Sequence, residues 1–570
     1  MFLGSRSRLR TAVIAAAVGA GVLTAATPAA AAPLAGTRSY LVITAPNGTA
    51  GAKEAIGTNG GTVFSSYDAI GVIVAHANTT DFASKMRTVS GVQKVGATRT
   101  SDIPAEAANP PIPAAPSQAT PATSEPLRTD MTQIGADKAW AINQGSPSVT
   151  VGVLDTGVDD LHDDLKENFL ASKSASCAYG KLDTRAGSWR DTDTHGTHVA
   201  GTIAAKKNER GMVGVAPGVK IASVRIAEKP SGLFFAENTI CALVFSGDQG
   251  FAVTNNSYYT DPWLFNCPDN ADQDAILEGV KRAVAYAEGK GVLNVAAAGN
   301  ENYNLANKTR DTTSPNDSTP VQRNITNACL SVPTEVSGVV TVSSITSGNG
   351  KSSFSNYGTD KVHIAAPGDS VYSTVPGGRY GSKSGTSMAS PHVAGVAALL
   401  KSANPTATPA QLRQLLATQA DDLACTDSRC SGTTAKNNFF GEGRVDALAA
   451  VDTGTPGTSF ENTADVSIPD NGAAVTSSIT VSGVTGNAPA TLKVGVDIQH
   501  PYRGDLVVDL IAPDGTVYSL SNRSGGSADN IVQTFTVNAS SEVANGVWKL
   551  RVQDVASADV GFINSWKLTF

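Results

Sequence analysis

The sequence carries no excess of positive charge. Its 43 lysines and arginines face 50 aspartates and glutamates, a net charge of −7 over 570 residues. That balance gives no electrostatic footprint for nucleic acid. Long apolar runs are scarce as well. After residues 11–26 no second segment is apolar enough to span a bilayer, so a membrane protein is not expected. Cysteines number six and lack the Cys-x-x-Cys pairs or close Cys/His clusters that hold zinc. What is present is a composition 41% hydrophobic, in a chain too long for one core.

The first 32 residues read as a secretory signal. Arg6, Arg8 and Arg10 form a basic start, residues 11–26 a short apolar run, and residues 29–32 a small-residue cleavage site. A membrane anchor is the alternative, but the run is short for a span. Secretion delivers Cys177, Cys241, Cys267, Cys329, Cys425 and Cys430 to an oxidising space. Six cysteines fit three disulfides, with about 15 pairings open. Cys425 and Cys430 enclose only four residues, so a local bridge is the simplest pair. The sequons at Asn307, Asn324 and Asn538 mark loops at most.

Residues 38–99 alternate in the order βαββαβ, the pattern of a small ferredoxin-like split βαβ sandwich. Residues 103–127 are rich in Pro, Ala, Ser and Thr and cannot bury a core. They are expected to be extended, exposed and open to proteolysis. From residue 129 strand and helix signals alternate to about 452, which argues a parallel sheet with helices on both faces. After a Gly/Thr/Pro-rich break the pattern becomes alternating apolar positions between turn residues, as in an all-β sandwich. The expected divisions are 1–32, 33–101, 102–128, 129–452, 453–459 and 460–570.

Three stretches carry the chemistry. Residues 385–395, Gly-Thr-Ser-Met-Ala-Ser-Pro-His-Val-Ala-Gly, deliver Ser387 to the start of an apolar helix. Unpaired N–H groups and the helix dipole there favour developing negative charge. Pro391 suits a first turn, where its missing N–H has no partner to lose. Asp155 ends the apolar run 149–154, at the carboxyl end of a buried strand. His195 opens a second apolar helix after a Gly turn, in His-Gly-Thr-His-Val-Ala-Gly-Thr. The chain order is Asp, His, Ser.

These motifs, from 133 to 451, resemble the catalytic domain of the subtilisin-like serine peptidases. The resemblance implies Ser387 as nucleophile, His195 as general base and Asp155 as the group that holds the imidazole tautomer. Asn300, closing Ala-Ala-Ala-Gly-Asn, matches the family's oxyanion-hole asparagine, with the Ser387 N–H as second donor. Ser257, Tyr258 and Gly299 match substrate-binding positions. Tyr258 and Tyr259 depart from the usual Ser-Leu-Gly, so they either narrow the groove or pack outward. Asp164 and Asn208 match a structural calcium loop, although Lys206, Lys207 and Arg210 crowd it with positive charge. No cofactor is needed for the chemistry. His198 and His392 are rival bases but read as packed structural histidines.

The small N-terminal unit resembles the family's inhibitory propeptide, which implies a zymogen whose own propeptide occupies the cleft until cut away. Four stretches near the C-terminus, 500–506, 513–515, 545–548 and 561–566, resemble the P domain of kexin-like convertases. Val199 and Met388 stand where those convertases carry Cys and Ala, and no acidic cluster for paired basic residues is evident. The expectation is a secreted, monomeric serine endopeptidase of broad specificity acting on proteins and peptides. A serine-carboxyl peptidase on the same fold requires Glu for His195 and Asp for Asn300. A binding protein with an inert front domain leaves the triad unexplained.

Overall fold

The computed structural model describes residues 36–452, 458–484 and 486–570. The signal and most of the second linker lie outside them.

Seven parallel strands form the central sheet. Their order is Ile364–Pro367, Val340–Ile345, Leu293–Ala297, Val253–Asn256, Thr150–Asp155, Lys220–Arg225 and Ala175–Ser176. Strand Thr150–Asp155 is buried at every position, which is why its sequence is a run and not an alternation. The helices divide between two cores. His195–Ala204 and Thr386–Ala403 pack on one face, where Val199, Ile203, Val393 and Leu400 meet Val151 and Val295. Ala236–Asp248 and Ala271–Gly289 pack on the other, with Ile240 and Val280 against Val224 and Leu154. Pro391 lies inside the helix at its sixth residue, later than the first turn expected for it.

The N-terminal unit is a four-stranded antiparallel sheet, in the order Gly61–Tyr67, Val72–Ala77, Arg38–Thr44, Val92–Ala97, with helices Ala50–Thr58 and Phe82–Met86. Both its faces are buried. Tyr40 and Val42 face the unit's own helices, while Leu41 and Ile43 join the core around Ile240 and Ala275. One period-2 strand thus serves two cores.

The segment after it is largely exposed, as expected, but anchored. Gln118 Nε2 donates to Asp159 Oδ2 at 3.0 Å, Ala119 N–H to the Gly377 carbonyl at 2.8 Å, and Glu125 Oε1 accepts the N–H of Asn208 at 2.9 Å. The C-terminal residues form a sandwich of a five-stranded and a four-stranded antiparallel sheet, with Trp548 and Trp566 buried between them. All six cysteines are paired: Cys177–Cys241, Cys267–Cys329 and the local Cys425–Cys430.

Candidate active site

The sheet sets Asp155 at the carboxyl end of its strand, fully buried. Its Oδ1 accepts the Thr156 N–H at 2.7 Å and meets His195 Nδ1 at 2.8 Å. His195 is the first residue of its helix, and its own N–H donates to Asp193 Oδ1 at 3.1 Å. Burial works against protonating the ring, but the Asp155 carboxylate, by charge and by hydrogen bond, outweighs it and holds the imidazole pKa above its ordinary value. Nδ1 is thereby the donor, and Nε2 is left as the acceptor a base requires.

Ser387 is the second residue of helix Thr386–Ala403. Its N–H lies in the first turn, where no helical acceptor exists. Its hydroxyl donates to the Ser257 carbonyl at 3.1 Å, while the Ser257 hydroxyl donates to the Ser387 carbonyl at 2.8 Å. The Ser387 hydroxyl is therefore turned toward Ser257, and His195 Nε2 is not its partner among the described residues. Catalytic hydrogen bonds commonly tighten only around substrate.

Asn300 is held from behind. Its Oδ1 accepts both the N–H and the hydroxyl of Thr386, at 2.8 and 2.9 Å. That tether spends the amide's acceptor and leaves its NH2 as the free end. The Thr386 hydroxyl also accepts the Gly299 N–H at 3.0 Å. Thr386 therefore ties the strand-end turn to the nucleophile's helix, a role the sequence motif does not reveal.

Ser257, Tyr258, Gly299, Asn300 and Ser387 line one cavity of about 280 Å³. Tyr258 is buried, stacked on Phe234 at 5.0 Å between centroids, with its hydroxyl donating to Asn256 Oδ1 at 3.0 Å. The ring forms the wall and does not project outward.

Comparison with known proteins places the chain in a family. Residues 146–443 match the model of the subtilase family, and residues 489–570 that of the proprotein convertase P-domain. The extracellular basic protease of Dichelobacter nodosus is 30% identical over 504 residues, 77% of this chain and 75% of that protein. The chain belongs to the subtilase family. Subtilisin DY of Bacillus licheniformis is 32% identical over 318 residues, 56% of this subtilase and 96% of that enzyme. Leupeptin-inactivating enzyme 1 of Streptomyces exfoliatus is 60% identical over 185 residues, which span 42% of that protein. Among solved structures, the epidermin leader peptide processing serine protease of Staphylococcus aureus has the same fold, with a TM-score of 0.58 at 20% identity over 74% of this chain and 99% of that one.

The rival histidines of the subtilase are structural. His198 Nε2 donates to the carbonyls of Val371 and Gly381 at 3.0 and 3.2 Å, and burial pulls its pKa down to about 3. His392 is buried between the Met388 carbonyl at 2.8 Å and Asp130 Oδ2 at 3.1 Å.

Two acidic residues that no sequence motif marks line the cavity, Asp261 and Glu301. Asp261 Oδ1 accepts Asn316 Nδ2 at 2.7 Å, and burial lifts its pKa to about 6. They follow two different strands, Val253–Asn256 and Leu293–Ala297, so no local acidic cluster announces them.

The two side chains at the expected calcium positions pair with each other, Asn208 Nδ2 donating to Asp164 Oδ1 at 3.2 Å. The other carboxylate oxygen accepts the Met212 N–H at 3.1 Å and the Tyr380 hydroxyl at 2.9 Å. Asn208 Oδ1 accepts the Arg210 N–H at 3.0 Å. Among the described residues no three His, Cys, Asp or Glu side chains cluster for a metal.

Proposed function

We propose that this subtilase is a secreted serine endopeptidase, made as a zymogen and needing no cofactor for its chemistry. The observation that carries the reading is the conjunction at the carboxyl ends of neighbouring central strands. His195 is oriented by Asp155 at 2.8 Å, while Ser387 and a tethered Asn300 share one cavity. Rotation of the Ser387 hydroxyl away from Ser257 presents it to His195 Nε2, which takes its proton as Oγ attacks the scissile carbonyl. The oxyanion is received by the Asn300 amide and the Ser387 N–H. His195 then protonates the leaving amine, and water repeats the sequence on the acyl-enzyme. Residues 33–101 act as the inhibitory propeptide, with linker 102–128 as the region of maturation cleavage. The relative named an extracellular protease supports secretion. The mature enzyme is proposed as a monomer of broad specificity, not confined to paired basic residues. Casein hydrolysis by the wild type and by Ser387→Ala tests the assignment. Loss of activity in the variant is expected, and equal activity overturns it.

A further inference from the structure

Arg99, at the end of the N-terminal unit, is only 3% exposed. Its Nη1 and Nη2 donate to the two carboxylate oxygens of Glu228 at 2.9 and 2.7 Å. Nε donates to Glu237 Oε1 at 3.2 Å, and the guanidinium carbon lies 3.7 Å from the centre of the Phe235 ring. Both glutamates are 1% exposed and belong to the peptidase domain. This is a built cradle for a planar cation, with a bidentate fork, a second carboxylate and an aromatic face. Burial alone would raise the Glu237 pKa, yet Arg99 holds it below the ordinary range. Among the described residues Glu237 Oε2 has no hydrogen-bond partner, and both carboxylates bond the one Arg99 guanidinium.

The cradle is continuous with the active site. Glu228 begins the loop whose Gly232, Leu233 and Phe234 line the cavity beside Ser387, and the loop is closed by Gly232 N–H on the Glu228 carbonyl at 2.7 Å. The chain after Arg99 runs toward the same rim. The N–H groups of Thr100 and Ser101 donate to Asp317 Oδ2 at 2.7 and 2.8 Å, next to Asn316 of the cavity wall. Residue 99 thus enters the cradle before residues 100 and 101 approach the cavity.

We propose that Glu228, Glu237 and Phe235 form a guanidinium subsite of the mature peptidase, which takes an arginine side chain of a peptide substrate on the amino side of the scissile bond. Arg99 fills it in the precursor. Two carboxylates held this close are unfavourable once the cation leaves, and that supplies the drive to bind a replacement. The inference rests on residues 33–101 being released as a propeptide.

The test uses secreted enzyme after maturation, its composition fixed by intact mass. Internally quenched peptides are compared in pairs that differ only in arginine or citrulline, at each position upstream of the cut. Citrulline keeps the shape and removes the charge. At one position the arginine peptide is expected to have a kcat/KM about 10- to 100-fold higher. In Glu228→Gln/Glu237→Gln that ratio falls to about one. Should the double variant fail to fold, the wild-type comparison decides alone. Equal cleavage of both peptides at every position overturns the subsite, and a preference that persists in the double variant overturns its assignment to these residues. A mature protein that still carries residues 36–101 overturns the propeptide reading as well, because the cradle is never vacated, and the mass distinguishes the two failures.

Discussion

Gly196 shows how little freedom the catalytic side chains have. A Cβ built there lies 2.1 Å from the Gly157 carbonyl oxygen and 3.1 Å from the Asp155 Cβ. The obstacle is backbone, which has no rotamer to yield. Gly196→Ala is expected to displace His195 from Asp155 and to lower kcat/KM at least about 100-fold, the scale of a 1 Å misplacement. Circular dichroism separates that loss from unfolding. The imidazole's own pKa gives a second expectation. His195 serves as base only when neutral, and Asp155 raises its pKa. Activity therefore rises with pH through an inflection above the ordinary imidazole value of about 6.5. Asp155→Asn removes the charge that raises it, so the residual activity of that variant is expected to show the inflection at lower pH. An inflection already below the ordinary value in the wild type contradicts the pairing. Asn300→Ala removes one oxyanion donor, and the size established for that loss in subtilisins, about 10²–10³ in kcat, is expected here with KM little changed. Thr386→Val tests the tether, because it deletes the hydroxyl bonded to Asn300 Oδ1 and Gly299 N–H and leaves the amide itself in place. A fall in kcat smaller than that of Asn300→Ala is expected.

Among the elements, disulfides separate by the length of chain they close. Cys177–Cys241 spans 64 residues of sequence and Cys425–Cys430 spans 5. Loop-closure entropy assigns about 4 kcal/mol to the first and about 2 kcal/mol to the second. Cys177→Ala/Cys241→Ala is expected to shift a urea midpoint about twice as far as Cys425→Ala/Cys430→Ala, and equal shifts contradict this. Only the local bridge was legible in the sequence, since the two long pairings depend on which loops the sheet brings together. The central strands and the helices of the site were legible because a parallel sheet covered on both faces demands continuous apolar runs. The C-terminal sandwich was less so. Strand Val475–Val481 reads as polar because Ser477 occupies a buried position, where its hydroxyl accepts Trp566 Nε1 at 2.9 Å. Asp155, His195, Ser387 and Asn300 carry their motifs with them. Asp261, Glu301, Glu228 and Glu237 acquire meaning only from neighbours distant in sequence, and no spacing rule reaches them. At Asp164 and Asn208 the motif's positions are kept, and Tyr380 and Met212 donate to the same carboxylate.

For the whole molecule, the decisive relation is that the N-terminal unit has no boundary core of its own on one side. Leu41 and Ile43 are fully buried against helices Ala236–Asp248 and Ala271–Gly289, while Tyr40 and Val42 hold the unit together from the opposite face. Polar ties surround this contact. Lys94 Nζ donates to Asp274 Oδ1 at 2.8 Å, and Arg282 Nη1 to the Ile70 carbonyl at 2.9 Å. Alternation along one strand thus sorts binding from folding, and that permits a prediction in trans. Residues 36–101, added as a separate polypeptide, are expected to inhibit the mature peptidase. Leu41→Ala and Ile43→Ala each delete methyl groups from the shared core, a loss of about 2–4 kcal/mol. The inhibition constant should therefore rise about 30- to 1,000-fold for each. Val42→Ala strikes the other face and should lower the unit's own stability, weakening inhibition only to the extent that the free unit is unfolded. Titrating the three variants against a fixed enzyme concentration, with the helicity of each free unit measured alongside, separates the faces. If Val42→Ala weakens inhibition as much as Leu41→Ala while remaining folded, the contact seen between strand Arg38–Thr44 and the two helices does not govern the proposed inhibition.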